Sequence, residues 1–258
     1  MRLLAGDGID RLGYAFRDGY AAALRALVPG LGDLEVVALC ATEEAGAHPR
    51  AIQTRWDGER VTGRKLFVTM GTRADRLLIV AKADKGGLQV VSVEARAPGV
   101  TLVPMPPTTF APEIPHAEVR LAGAPGVALP GDGYSDYLKP FRTIEDIHVY
   151  AATIGYLMSL GRRVGWKPAV IARLAALGAS LAHLSELEPL APATHLALAG
   201  ALDLGRQLFE SLDFKVVPED ERARWLRDKP LLDVAGKVRA QRFETACRLL
   251  KLVQPVVR

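Results

Sequence analysis

Apolar residues along this chain follow two periods, and the points where the period changes divide it into three stretches. Leu12, Phe16, Tyr20, Ala23, Leu24 and Leu27 recur at intervals that put them on one face of an amphipathic helix. Val28-Pro29-Gly30-Leu31-Gly32-Asp33 supplies the proline and glycines that end it. From Leu34 the apolar residues come in short runs bounded by turn residues, which predicts strands over 34–41, 51–56, 60–69, 77–83, 88–95, 99–104, 116–121 and 126–129. Asp57-Gly58 and Asp84-Lys85-Gly86-Gly87 separate adjacent runs where positive φ is easily adopted, so two tight hairpins are expected. No helical period lies between these strands, and the glycines near Gly30 are not a GxGxxG opening a helix; a doubly wound parallel sheet is disfavoured. An antiparallel barrel or sandwich is the expected form.

After Pro130-Gly131-Asp132-Gly133 the period becomes helical and predicts four helices, over 143–163, 168–187, 192–212 and 233–253. Ile147, Ala151, Ile154 and Met158 make one stripe, and Leu174, Leu177, Leu181 and Leu184 another. Pro168 and Pro192 sit near helix starts, where a missing N–H is tolerated, and 216–220 reads as an exposed link. The expected fold class is α+β: an N-terminal helix and linker over 1–33, a β-domain over 34–131, and an up-and-down helical bundle over 132–258.

Composition narrows the function classes. With 49% hydrophobic and 24% charged residues in 258, the chain is not of a disordered type. Lys and Arg number 33 against 29 Asp and Glu, spread without a basic tract, so nucleic acid is not an expected partner while small anionic ligands are allowed. Cys40 and Cys247 lie far apart without metal-ligand spacing, which predicts neither a metal site nor a disulfide framework and fits a reducing cytosol. The opening MRLLAGDGIDR carries Asp7 and Asp10 where a signal peptide needs an apolar core. No apolar run approaches the ~18 residues of a membrane span, so a cytoplasmic protein is expected.

Three constellations could carry chemistry. Thr42-Glu43-Glu44-Ala45-Gly46-Ala47-His48-Pro49 follows a strand and reads either as a ligand loop or as a solvated turn. In Gly63 to Gly71, alternation puts Lys65, Phe67 and Thr69 on one strand face, able to line a flat ring or simply to make a half-buried strand. Thr143 with the acidic residues after it reads as a helix start. In the same segment Glu145, His148 and Ala152 share a helix face, so a carboxylate and an imidazole could instead serve a cleft.

At these residues the sequence resembles the acyl-CoA dehydrogenase family. Thr42, Glu43, Gly46, Gly63, Lys65, Thr69, Gly71, Ala74 and Asp75 fall in register with its TEPxxGSD-like loop, GxKxWIT-like strand and following Ala-Asp pair. The resemblance runs over about 34–163 and implies a β-domain and a helical domain that enclose FAD, with a glutamate removing the α-proton of an acyl-CoA thioester while the flavin takes the β-hydride. It implies Thr42 beside the flavin ring, Phe67 in place of the family's stacking tryptophan, and Thr69 donating to the flavin edge. Ile144 to Gly155 is similar to the pattern that carries the base in a minority of members, which implies Glu145 as the catalytic base, with Asp146 where the family has arginine. His48-Pro49 stands where the family has Ser-Asp, one helix stands for the N-terminal helical domain, and the RxxFG and QxxGGxGY-like segments are absent. The implied partners are an acyl-CoA ligand and either further copies of the chain or a longer homologue. The alternative is a non-catalytic subunit or CoA-ester binding protein without FAD.

Overall fold

Eight short runs rich in β-branched and aliphatic residues, each closed by turn residues, become strands in the computed structural model, which describes residues 9–252. They are β1 (Val37–Cys40), β2 (Arg55–Trp56), β3 (Arg60–Thr69), β4 (Arg76–Ala83), β5 (Leu88–Glu94), β6 (Val100–Pro104), β7 (His116–Pro125) and β8 (Val127–Ala128). They pair in the order β6-β7-β3-β2-β4-β5-β8, with β1 beside β4. Both expected hairpins form: the Asp57 carboxylate accepts the N–H groups of Glu59 and Arg60, and Gly58 takes a φ of 109°. Gly86 and Gly87, with φ of 92° and 77°, turn β4 into β5. The sheet is curled and mixed, because β1 and β2 both run parallel to β4 while the other pairs are antiparallel. Its interior is made by Ala38, Cys40, Trp56, Val61, Val68, Leu77, Ile79, Val91, Val93, Val119 and Leu121.

The helical stretches become α1 (Leu12–Leu27), α2 (Lys139–Val164), α3 (Pro168–Leu184), α4 (Pro192–Glu210), α5 (Glu219–Asp228) and α6 (Gly236–Leu249). Two sequence expectations need correction. The first bundle helix starts at Lys139 rather than Thr143, and is preceded by a π-helical turn over Gly133–Leu138 whose N-cap Asp132 accepts from the N–H groups of Tyr134 and Ser135. Pro140 is the second residue of α2, directly after that turn. The stretch read partly as a link contains α5, held by buried Glu221 and Trp225 and by acidic residues in its first turn. Val253, the expected end of the last helix, lies outside the described residues.

The chain divides into two compact units: a helical one containing 9–23, 109–111 and 143–252 of the described residues, and a β one containing 24–108 and 112–142. In the helical unit Leu12, Ile147, Ile154, Leu157, Leu174, Leu181, Leu198 and Trp225 contribute to one core. Gly19 lets α1 approach α2 closely, since a Cβ there would lie 2.6 Å from Val149 Cα. Buried Asp228 accepts the Ala111 N–H at 2.7 Å and so ties the 109–111 segment to α5. Among the described residues no helix is long and apolar enough to cross a membrane, and no group of three His, Cys, Asp or Glu could hold a metal.

Candidate functional site

The loop after β1 is not a solvated turn. Glu43 and Gly46 exchange backbone hydrogen bonds at 3.0 and 2.9 Å, which turns the Glu43 side chain inward while Glu44 stays exposed. The buried Glu43 carboxylate accepts from Gln53 N at 2.6 Å, Thr54 N at 3.1 Å, Thr54 Oγ1 at 2.8 Å and Lys65 Nζ at 2.7 Å. Lys65 is fully buried, and its ammonium also donates to the carbonyls of Val80 at 2.5 Å and Ala41 at 3.5 Å. Burial by itself would raise the Glu43 proton affinity, but the Lys65 ammonium and the Thr54 donors outweigh it and hold the carboxyl below its ordinary value. A buried ion pair whose hydrogen-bonding capacity is largely met by neighbouring groups fixes the loop to β3 and β4. His48 points to solvent, and its Nδ1 accepts the Arg50 N–H at 3.2 Å, capping the short turn Pro49–Ala51.

The expected single face of Lys65, Phe67 and Thr69 is corrected by a β-bulge. Lys65 pairs with Val119 and Val68 with Ala117, so two residues of β3, Leu66 and Phe67, oppose Glu118 alone. Phe67 takes a φ of 52°, which reverses the alternation: Lys65 and Val68 point inward, whereas the Phe67 ring is 58% exposed. A bulky residue at positive φ with its ring in the open carries backbone strain of about 1–2 kcal/mol. Its N–H points to Met105 Sδ at 3.3 Å. The Thr42 carbonyl accepts the Leu66 N–H at 2.8 Å, bringing Thr42 beside the bulge, and Thr69 follows on the same strand. Both threonines are half-buried, and among the described residues neither hydroxyl is used in a hydrogen bond. An exposed aromatic ring with two available hydroxyls nearby is a surface that fits a flat, polar-edged ring.

On α2, Glu145 is half-buried and His148 is buried. The His148 Nδ1–H donates to the Ile144 carbonyl at 2.8 Å, and burial lowers its proton affinity, so the imidazole is committed to its own helix. Asp146, read from the sequence as a helix-start acid, lies inside α2 and bridges to α6. Its Oδ1 accepts from Arg239 Nε at 3.0 Å and Nη2 at 2.6 Å, and its Oδ2 from Arg242. Arg242 also donates to buried Thr143 Oγ1 at 2.9 Å, and Arg239 lies over the Tyr150 ring at 5.4 Å. Neither arginine was singled out in the sequence, because Arg239 lies 93 residues from Asp146 and no local spacing links them. The Glu43–Lys65 pairing likewise has no local signature beyond a lysine that falls in phase with inward-facing Val61 on β3.

No family model matches the sequence, and no curated protein matches it. Solved structures do. One is FkbI for biosynthesis of the methoxymalonyl extender unit of the polyketide immunosuppressant Fk520, with a TM-score of 0.68 and 19% identity over 94% of this chain and 81% of that one. A second is an FAD-dependent dehydrogenase, with a TM-score of 0.65 and 19% identity over 96% of this chain and 82% of that one. A third is the glutaryl-CoA dehydrogenase of Mycobacterium smegmatis in complex with FADH2, with a TM-score of 0.58 and 16% identity over 82% of this chain and 65% of that one. Over most of its length this protein has the fold of acyl-CoA dehydrogenases and related FAD dehydrogenases.

Proposed function

We propose that this protein is an acyl-CoA dehydrogenase-type flavoprotein that oxidises the α,β C–C bond of an acyl-CoA thioester. The observation that carries the reading is the exposed Phe67 ring, held at positive φ on a bulge beside Thr42 and anchored by the buried Glu43–Lys65 pair. Strain of this kind persists where surrounding structure over-determines it, and it clusters at ligand sites. Phe67 would stack on the flavin ring, and the Thr42 and Thr69 hydroxyls would bond its polar edge. FAD, when bound, supplies the hydride acceptor that no side chain provides. Glu145 on α2 would take the α-proton as general base. The reading includes an acyl-CoA ligand, association with further copies of the chain or with a longer homologue, and a cytoplasmic setting.

The second reading, a CoA-ester binding subunit without FAD, is favoured by His48. Its imidazole caps its own loop, in a segment where the resembled family has Ser-Asp. One experiment separates the two. Visible absorption of the purified protein, before and after incubation with FAD and desalting, is expected to show a retained flavin band that the Thr42→Ala/Thr69→Ala variant loses. Glu145→Gln should keep the band but abolish its bleaching by acyl-CoA substrates. No band in the wild type after incubation would overturn the flavoprotein reading; unchanged bleaching in Glu145→Gln would remove that residue as the base.

A further inference from the structure

Strand pairing sets Arg64 of β3 directly opposite Arg120 of β7, and Arg120 opposite Thr101 of β6. All three are exposed, with the arginine side chains 53% and 60% accessible. Like charges opposite one another across a ladder repel. Here a single carboxylate holds both: Glu118 Oε1 accepts from Arg64 Nε at 2.8 Å and Arg120 Nε at 2.5 Å, and Oε2 accepts from Arg64 Nη2 at 3.1 Å. The two guanidiniums keep the Glu118 carboxyl ionised down to a pKa of about 2. Among the described residues, both Nη groups of Arg120 and the Nη1 of Arg64 have no hydrogen-bond acceptor. Arg60, exposed on the same strand, adds a third positive charge. Arg64 also walls a groove of about 530 Å³ lined by Glu44, Ala45, Ala51, Gln53 and Leu66.

We infer that this face of the β unit binds a phosphomonoester, with the phosphate on the outward edges of Arg64 and Arg120 and the attached organic group in the groove. Guanidinium forks match phosphate oxygens in shape and charge, and forks already oriented by Glu118 lose little freedom on binding. The exposed Glu44 carboxylate on the groove repels a long polyanion laid along it, which selects a small molecule over nucleic acid. The inference rests on the β unit alone and is independent of flavin binding.

The test is calorimetric titration of the full chain with inorganic phosphate, adenosine 3′,5′-bisphosphate, coenzyme A and 3′-dephospho-coenzyme A. Arg64→Gln and Arg120→Gln are each expected to weaken the bisphosphate by about tenfold, since each removes a charge-assisted contact. Arg96→Gln, the same charge loss at another exposed position of the β unit, should leave it unchanged. Coenzyme A binding more tightly than the dephospho form, with the difference lost in Arg64→Gln, would identify the 3′-phosphate of the thioester carrier as the source. Equal affinity for those two, with the bisphosphate and inorganic phosphate still dependent on Arg64, would identify a free phosphorylated metabolite. An absence of binding to the wild type, or an equal loss in Arg96→Gln, would overturn the inference and leave the absorption test of flavin untouched.

Discussion

Replacing Lys65 by methionine keeps most of the side chain's volume and removes the ammonium that Glu43 faces. Glu43 would retain its bonds from Gln53 N, Thr54 N and Thr54 Oγ1, but its charge would be left uncompensated in a site only 8% exposed. Breaking a buried pair from one side costs about 3–5 kcal/mol, against a total stability of roughly 5–15 kcal/mol. For a chain of this size that corresponds to a fall in Tm on the order of 10 °C. The double variant Glu43→Gln/Lys65→Met leaves no charge stranded and should recover most of the loss. The pH dependence has a definite sign. Glu43 has a folded pKa below its unfolded value, so its contribution is full above the unfolded value of about 4.3 and is lost as pH falls through the folded pKa. Urea unfolding followed by circular dichroism should therefore show wild type and Lys65→Met far apart at neutral pH and converging in acid. A loss under about 1 kcal/mol at neutral pH, or a double variant that is merely additive, would refute the pair as what holds the loop.

Gly19→Ala should lower stability by about 2 kcal/mol or more, because the new Cβ meets backbone of α2 at 2.6 Å. Helix propensity alone predicts a gain of about 1 kcal/mol, so the sign of the change in a thermal melt decides. Phe67→Gly relieves positive φ and removes a largely exposed ring, so stability should stay within about 1 kcal/mol of wild type while retention of added FAD falls. Retained FAD at the wild-type level would count against stacking. Asp228→Ala strands the buried Ala111 N–H, with an expected cost of about 1–3 kcal/mol and faster hydrogen exchange at that amide; unchanged exchange would show that another acceptor takes over.

The sequence by itself determined the local elements. Turn glycines and short apolar runs located β3 to its end residues, along with both hairpins and the helices α1, α3 and α4, because hairpin closure and helical periodicity depend on neighbours a few residues apart. The helix α5 escaped because EDERARWLRD carries too few apolar residues to draw a stripe; what holds it is burial of Trp225 and Glu221. The residues of the β-unit candidate site were legible as a motif, but not the way they face. Only pairing with β7 creates the bulge that turns Phe67 outward while Lys65 stays inside. Only tertiary packing brings Lys65 to Glu43, and Arg239 and Arg242 to Asp146. A strand's phase can slip by one residue without any change in its composition, and a charge acquires its partner from whichever element packs against it; both are decided across the sheet and between helices rather than along the chain.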